Sequence, residues 1–191
     1  MFSSAAHFLL TTIFSILTMM FLLRFLMQAT KTPFHNPIGQ IVMALTDFAV
    51  KPARKFIPSW KKTDLSTLFL AFMTQLLFQF ALLWFRGFPF AVADAPITPI
   101  IFALSLVGVI GAIVDIFFYA IFLHVILSWV NPHTPIAPVL NSLTRPILNP
   151  IQKIVPTLSG IDFSPFVAII LLQMINISVI TSLQKSILSM F

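Results

Sequence analysis

Four long stretches of this chain carry almost no charge, and they decide its fold class. Met1 to Leu23 contains no Asp, Glu, Lys or Arg, and the apolar run continues past Arg24 to Ala29. Leu65 to Phe85 has no formal charge, Ile100 to Val130 has a single carboxylate at Asp115, and a fourth apolar stretch runs from about 165 to 188. Crossing a hydrocarbon core of about 30 Å takes about 20 apolar residues in a helix. Within lipid the backbone must satisfy its own hydrogen bonds, which favours helices for runs of this length. Hydrophobic residues make up 59% of the chain and charged ones 8%. A soluble domain averages about 45–50% and about 25%, so there is too little polar surface here to coat one. The fold class expected is an all-α polytopic membrane protein with about four transmembrane helices.

The spans are expected at about 5–28, 65–85, 100–130 and 165–188. The third is too long for one bilayer core, since it would reach about 46 Å at 1.5 Å per residue. One long tilted helix is expected there, with its first turns outside the core. Two short spans would need a turn near Gly111 with each half too short. Arg24 is expected to extend its guanidinium toward the head groups while its stem stays in lipid.

The chain carries one connecting segment twice. Residues 45–66 and 143–164 align without a gap at an offset of 98. Leu45/Leu143, Thr46/Thr144, Pro52/Pro150, Lys55/Lys153, Pro58/Pro156, Asp64/Asp162 and Ser66/Ser164 are identical pairs. The expected organisation is two tandem parallel repeats, 1–93 and 94–191, each a transmembrane helix, an interfacial amphipathic helix and a second transmembrane helix. The interfacial helices are expected at about 37–57 and 135–155. Asn36-Pro37 gives an N-cap followed by proline at the first helical position, and Thr134-Pro135 repeats the signal. Ile38, Ile41, Val42, Leu45, Phe48 and Ala49 then form one apolar stripe, as do Ile136, Val139, Leu140, Leu143 and Ile147. Such a stripe, backed by Lys51, Arg54 and Lys55 in the first copy and Arg145 and Lys153 in the second, suits a helix lying in the membrane interface or packed on the bundle. Pro52 and Pro150 are expected to break these helices, with Pro58 and Pro156 ending the short turns that follow. Asp64 and Ser66, and Asp162 and Ser164, are the expected caps that start the second and fourth spans.

Charge placement gives an expected topology. Six Lys and Arg residues lie in 30–63, two more in 131–163, and Arg86 alone in the central linker. The positive-inside rule puts both connecting helices in the cytoplasm and both termini outside. The net charge of +6 is better read as topology signal and contact with anionic head groups than as a nucleic-acid footprint. No cleavable signal peptide is expected, because the first apolar run lacks a basic n-region and a small-residue cleavage pattern. With no cysteine, disulfides, thiol catalysis and Cys-bound metals are excluded.

Polar residues inside spans are the candidates for function. Asp115 lies near mid-membrane, where carboxylates are rare and face the bundle interior. Gly108, Ala112, Asp115 and Tyr119 share nearly one helix face. Gln75 and Gln173 are related by the same offset of 98, with Gln79 and Asn176 nearby. Their reading is hydrogen-bonding glue between helices or a polar site on the pseudo-twofold axis. His7, His35, His124 and His133 are not spaced as ligands, and no catalytic motif is present, so no enzyme, metal or cofactor is expected.

The duplicated LT-x5-P-x2-K-x2-P-x5-D-x-S segment, with Ser128-Trp129 closing the third apolar stretch, resembles the YggT family of small bacterial inner-membrane proteins with plastid relatives. The resemblance covers most of both repeats. Copy one departs from it at Lys62, where copy two has Gly160, and at Thr67, where copy two has Pro165. Membership implies links to osmotic-stress tolerance, to division, or to haem attachment on a cytochrome, and it carries over no catalytic residues. The function expected is a non-enzymatic membrane scaffold or assembly factor docking through its cytoplasmic loops. The alternative is a small ion or solute transporter, or a channel subunit, with a polar path near Asp115. Expected partners are anionic lipids, a further membrane protein and a second copy of the chain.

Overall fold

Unbroken apolar sequence forms helix wherever it is long enough, and proline marks where it turns. The computed structural model describes residues 2–57, 63–85, 87, 97–155 and 162–189. Its elements are α1 (Phe2–Ala29), α2 (Pro37–Ala53), α3 (Leu65–Phe85), α4 (Ile97–Val130), α5 (Ala137–Gln152), α6 (Ser164–Ile175), a π-helical turn (Asn176–Ile180) and α7 (Thr181–Leu188). The last three form one continuous rod, Ser164–Leu188. With α1, α3 and α4 this makes four helices long and apolar enough to cross a membrane. The third apolar stretch is a single helix, starting three residues before the expected position and carrying Pro99 in its first turn. Proline is tolerated there because the first-turn N–H groups have no intrahelical acceptor. Pro58, Pro156, Gly160 and Lys62, and the linker residues Arg86, Pro89, Asp94 and Pro96, lie outside the described residues.

The rods pack in a chain of neighbours. α3 lies against α1, α4 against α3 and α1, and the α6–α7 rod against α4. Phe21, Leu22 and Leu26 of α1 meet Ala71 of α3, Val109, Ile116 and Ala120 of α4, and Val50, Leu140 and Leu143 of the connecting helices. Large side chains such as Phe8, Leu77, Ile110, Phe166 and Ile177 point outward. In water such a surface would be a liability, whereas hydrocarbon solvates it. α2 and α5 sit at the same end of the bundle, where Met27, Val42 and Val139 form one cluster. The rings of His7 and Phe85 meet at 6.5 Å at the start of α1 and the end of α3.

The connecting helices differ from each other. Asn36 caps α2 as its sequence predicts, accepting the Gly39 N–H at 2.8 Å. α5 has no such cap: Ile136 is its N-cap residue, without a side-chain hydrogen bond. The Thr134 carbonyl is taken up in a turn by the Ala137 N–H at 3.0 Å, which delays the helix by two residues relative to the Thr-Pro signal. Neither Pro52 nor the pair Pro146 and Pro150 breaks its helix. The α2 stripe is split, with Val42 and Val50 buried and Ile41, Leu45 and Phe48 exposed. The α5 stripe packs inward through Val139, Leu140, Leu143 and Leu148, leaving Asn141, Arg145 and Asn149 outside.

Arg24 departs from expectation. It does not extend to the head groups but is 4% exposed. Its Nη1 donates to Thr46 Oγ1 at 2.6 Å and to Asp47 Oδ1 at 2.7 Å. A guanidinium removed from water needs an opposite charge, and α2 brings one within reach, so burial wins over extension. Lys51 reaches the other oxygen of Asp47 at 2.9 Å.

Candidate functional site

Polar side chains from every span converge at half-depth. Gln75 lies ten residues from each end of α3, and Asn176 twelve from each end of the Ser164–Leu188 rod. Asp115 is near the middle of α4 and Thr18 near the middle of α1. Together with Ser15, Gln79 and Gln184 they line one cavity of about 290 Å³. Asn176 Nδ2 donates to Asp115 Oδ1 at 2.6 Å. The other carboxylate oxygen has no protein partner among the described residues. Thr18 is fully buried, and among the described residues its hydroxyl has no partner.

Local sequence explains how the cavity is built. A Cβ at Gly108 would stand 2.8 Å from Gln75 Oε1, so the glycine leaves room for that amide to lie over α4, and a larger residue would make the flexible Gln75 side chain shift. Gly111 admits Ile180 in the same way, with a Cβ there 3.0 Å from Ile180 Cγ2. The π-helical turn opens the fourth span beside the carboxylate. Both the N–H and the hydroxyl of Thr181 bond the Asn176 carbonyl, the hydroxyl at 3.0 Å. A single π turn within an α-helix disturbs the regular ladder and recurs at functional positions. Here it carries the residue that holds Asp115. The chemistry is that of hard oxygen ligands, namely a carboxylate, amide carbonyls and hydroxyls, which suit hard cations.

Not all the expected polar residues meet. Gln173 is half-buried but does not line the cavity, so the Gln75/Gln173 pair is not assembled at one point. Tyr119, one turn beyond Asp115, turns away and is 53% exposed. Ser15, Thr18 and Gln184 were not singled out from sequence. When α1 is set against α4 at an offset of 100, two more than that of the connecting segments, Ser15 corresponds to Asp115, and that register is a signal for Ser15.

The expected caps and basic residues form a second system at the end of the bundle carrying α2 and α5. Asp64 Oδ1 accepts the Ser66 N–H at 3.1 Å, while its Oδ2 takes Nε and Nη2 of Arg54, both at 2.6 Å. Gln28 Oε1 accepts the Asp64 N–H at 3.0 Å, tying α1 to the start of α3. Ser66 reaches back to the Ile57 carbonyl at 3.1 Å. In copy two, Gln152 replaces Arg54 at the same register and donates to Asp162 Oδ2 at 2.8 Å, and Asp162 Oδ1 accepts the Ser164 N–H at 2.8 Å. Thus Arg54 is a clamp on Asp64 in place of a free head-group contact, and Lys51 is paired with Asp47. Lys55, Arg145 and Lys153 are exposed. Hydrogen bonds from Lys51 and then Arg24 hold the Asp47 carboxyl below the usual carboxylate range. Among the described residues no three His, Asp or Glu side chains stand where they could share a metal ion.

Fold and site define a four-span helical membrane protein with a polar cavity at mid-depth and two connecting helices at one end. Residues 3–85 and 103–183 each match the CCB3/YggT family model, and the chain belongs to that family. It is 35% identical over 180 residues to the uncharacterised protein YggT of Escherichia coli K12, covering 94% of this chain and 91% of that one. An uncharacterised protein of Pseudomonas aeruginosa PAO1 is 33% identical over 183 residues, covering 95% and 91%. An uncharacterised Vibrio alginolyticus protein is 32% identical over 174 residues, covering 91% and 92%. No solved structure matches the chain.

Proposed function

We propose that the protein is a small-cation transporter or channel subunit whose binding site is the mid-membrane cavity around Asp115. The observation that carries this reading is the Asp115–Asn176 contact at the π-helical turn, inside a cavity lined by polar groups from all four spans. Desolvating a carboxylate there is costly, and carboxylates inside spans mark ion or proton pathways. Sites near the midplane next to an irregular helical turn are the common arrangement in transporters built from repeats. The protein resides in the bacterial inner membrane, with α2 and α5 on the cytoplasmic side. Support for this side comes from the eight Lys and Arg residues in 30–63 and 131–163 against one in the linker. Reconstitution in liposomes tests the activity. Rubidium or sodium flux is expected from the wild type and a loss of at least about tenfold from Asp115→Asn, a change of about 1.4 kcal/mol in barrier. Equal flux from a variant that inserts and elutes normally refutes the proposal.

A second reading, a non-enzymatic scaffold or assembly factor, is favoured by one observation. The outward face of α2 presents Ile41, Leu45 and Phe48 beside Lys51, and the turn after it adds the 84% exposed Phe56 beside Lys55. That face suits insertion among anionic lipids or docking of a membrane partner. Crosslinking from Phe48 in intact membranes tests it: capture of one defined protein supports the scaffold, and labelling of lipid alone counts against it.

A further inference from the structure

The two repeats differ where the first span of each bends into its connecting helix. In copy one, residues 30–36 fill this elbow. The Thr30 and Thr32 hydroxyls bond each other at 2.7 Å, and Thr30 also donates to the Leu26 carbonyl at 2.8 Å. The Phe34 backbone rests directly on Gly39, where a Cβ would lie 2.8 Å from Phe34 Cα and overlap its carbonyl oxygen. At the offset of 98, Gly39 corresponds to Ala137. The methyl group of Ala137 forbids the same close approach, so the second elbow cannot close in that way.

A cavity of about 470 Å³ is left there, lined among others by His124, Ser128, His133, Thr134 and Asn141. Four of these five side chains keep unspent polar groups. The Thr134 hydroxyl is buried without a partner among the described residues. Among the described residues, the rings of His124 and His133 and the side-chain amide of Asn141 also make no hydrogen bond to protein. Ser128 donates to the Val125 carbonyl at 2.7 Å. Among the described residues no carboxylate lines the cavity. Asp162, which acts on His124 electrostatically, lines a separate pocket with Trp129 and Phe163.

We propose that this elbow binds a phosphate group, supplied in the membrane by the head group of an anionic phospholipid. Buried donors with no protein acceptor are costly unless a ligand or water satisfies them. A phosphate offers acceptor oxygens to the buried Thr134 hydroxyl and, at the mouth of the cavity, to the half-buried His124 and the exposed His133 and Asn141, and among the described residues no carboxylate lines the cavity. The position fits the source: the elbow lies at the end of α4 beside Trp129, which is 80% exposed, at the level where aromatic belts and phosphates meet. Leu127 and Leu140 supply the apolar wall along which the glycerol end would lie. Free phosphate shares the recognised chemistry, and the experiment separates the two.

The purified full-length protein in detergent is titrated with short-chain phosphatidylglycerol, with short-chain diacylglycerol, which lacks the phosphate, and with inorganic phosphate. Binding is read by thermal shift and tryptophan fluorescence. Phosphatidylglycerol is expected to bind at least about tenfold more tightly than diacylglycerol, and Asn141→Leu or His133→Ala to weaken it about tenfold, the loss of one charge-assisted hydrogen bond. His133 is in an exposed turn, so His133→Gln serves if another variant unfolds. Inorganic phosphate binding as tightly, with the same sensitivity, supports the site with free phosphate as its source. Equal binding of diacylglycerol, or no effect of the substitutions, overturns the proposal. So does a zinc titration that depends on His133 while the phosphate probes do not. None of these residues lines the Asp115 cavity, so the outcome is independent of cation flux.

Discussion

Removing the Asp47 carboxylate strands a buried charge, the Arg24 guanidinium. Arg24 is 4% exposed, and its Nε already lacks a partner. Its remaining satisfaction comes from Thr46 at 2.6 Å and Asp47 at 2.7 Å. Asp47→Ala leaves a buried guanidinium without a counter-charge, which costs about 3–5 kcal/mol. At about 2–4 °C per kcal/mol for a chain of this size, the unfolding midpoint should fall by about 6–20 °C. Lys51 contacts the same carboxylate, but its side chain is 72% exposed. Lys51→Ala should therefore cost less than about 1 kcal/mol. Replacing both buried partners, Arg24→Leu with Asp47→Leu, should recover most of the loss because no charge is then stranded. Thermal unfolding followed by tryptophan fluorescence in one detergent measures all four proteins. If Asp47→Ala unfolds within about 2 °C of wild type, or if Lys51→Ala costs as much, the buried-pair reasoning is refuted.

Other expectations follow from single contacts. The Asp47 carboxyl is held low by Lys51 and Arg24, so its contribution is present above the ordinary carboxylate value near pH 3.9 and is lost as pH falls through its lower folded value. Acid unfolding of Asp47→Asn should lack that component; identical acid profiles would show that the pairing does not act on stability. Gly39→Ala places a methyl on the Phe34 backbone and should cost about 1–3 kcal/mol, as overpacking does; a loss under about 0.5 kcal/mol would mean that the elbow gives way freely. Phe48→Trp puts a reporter on the outward face of α2, where Phe48 is 68% exposed. Brominated lipid should quench it strongly, and quenching no greater than for a water-exposed indole would remove α2 from the interface.

How much of this was legible in the sequence follows from the kind of signal. The spans were, because an apolar run of about 20 residues has one helical solution in lipid. The cap at Asn36 was, because Asn-Pro acts on its own backbone. The fate of Arg24 was not. Hydropathy places it near an end, but whether it reaches water or buries depends on Asp47, 23 residues away on another helix. The breaks expected at Pro52 and Pro150 were also misplaced. A proline's local cost can be absorbed near a helix end, and α2 runs one residue past Pro52 to Ala53 and α5 two past Pro150 to Gln152. Asp115 and Asn176 were legible as polar residues in apolar runs. Their contact was not, because it depends on the π-helical turn at Asn176–Ile180, which no local motif announces. Ser15, Thr18 and Gln184 were missed because short hydroxyls and amides are common in spans as packing groups.

The central claim is that Asp115 binds a cation in the middle of the bundle. Infrared difference spectroscopy of the reconstituted protein on exchange into sodium or potassium reads that carboxylate directly. The account predicts an ion-dependent carboxylate band that Asp115→Asn abolishes and Asn176→Ala shifts by removing the 2.6 Å hydrogen bond. A carboxyl signal unchanged by either ion, in a protein whose Asp115→Asn variant gives the same difference spectrum, would contradict it.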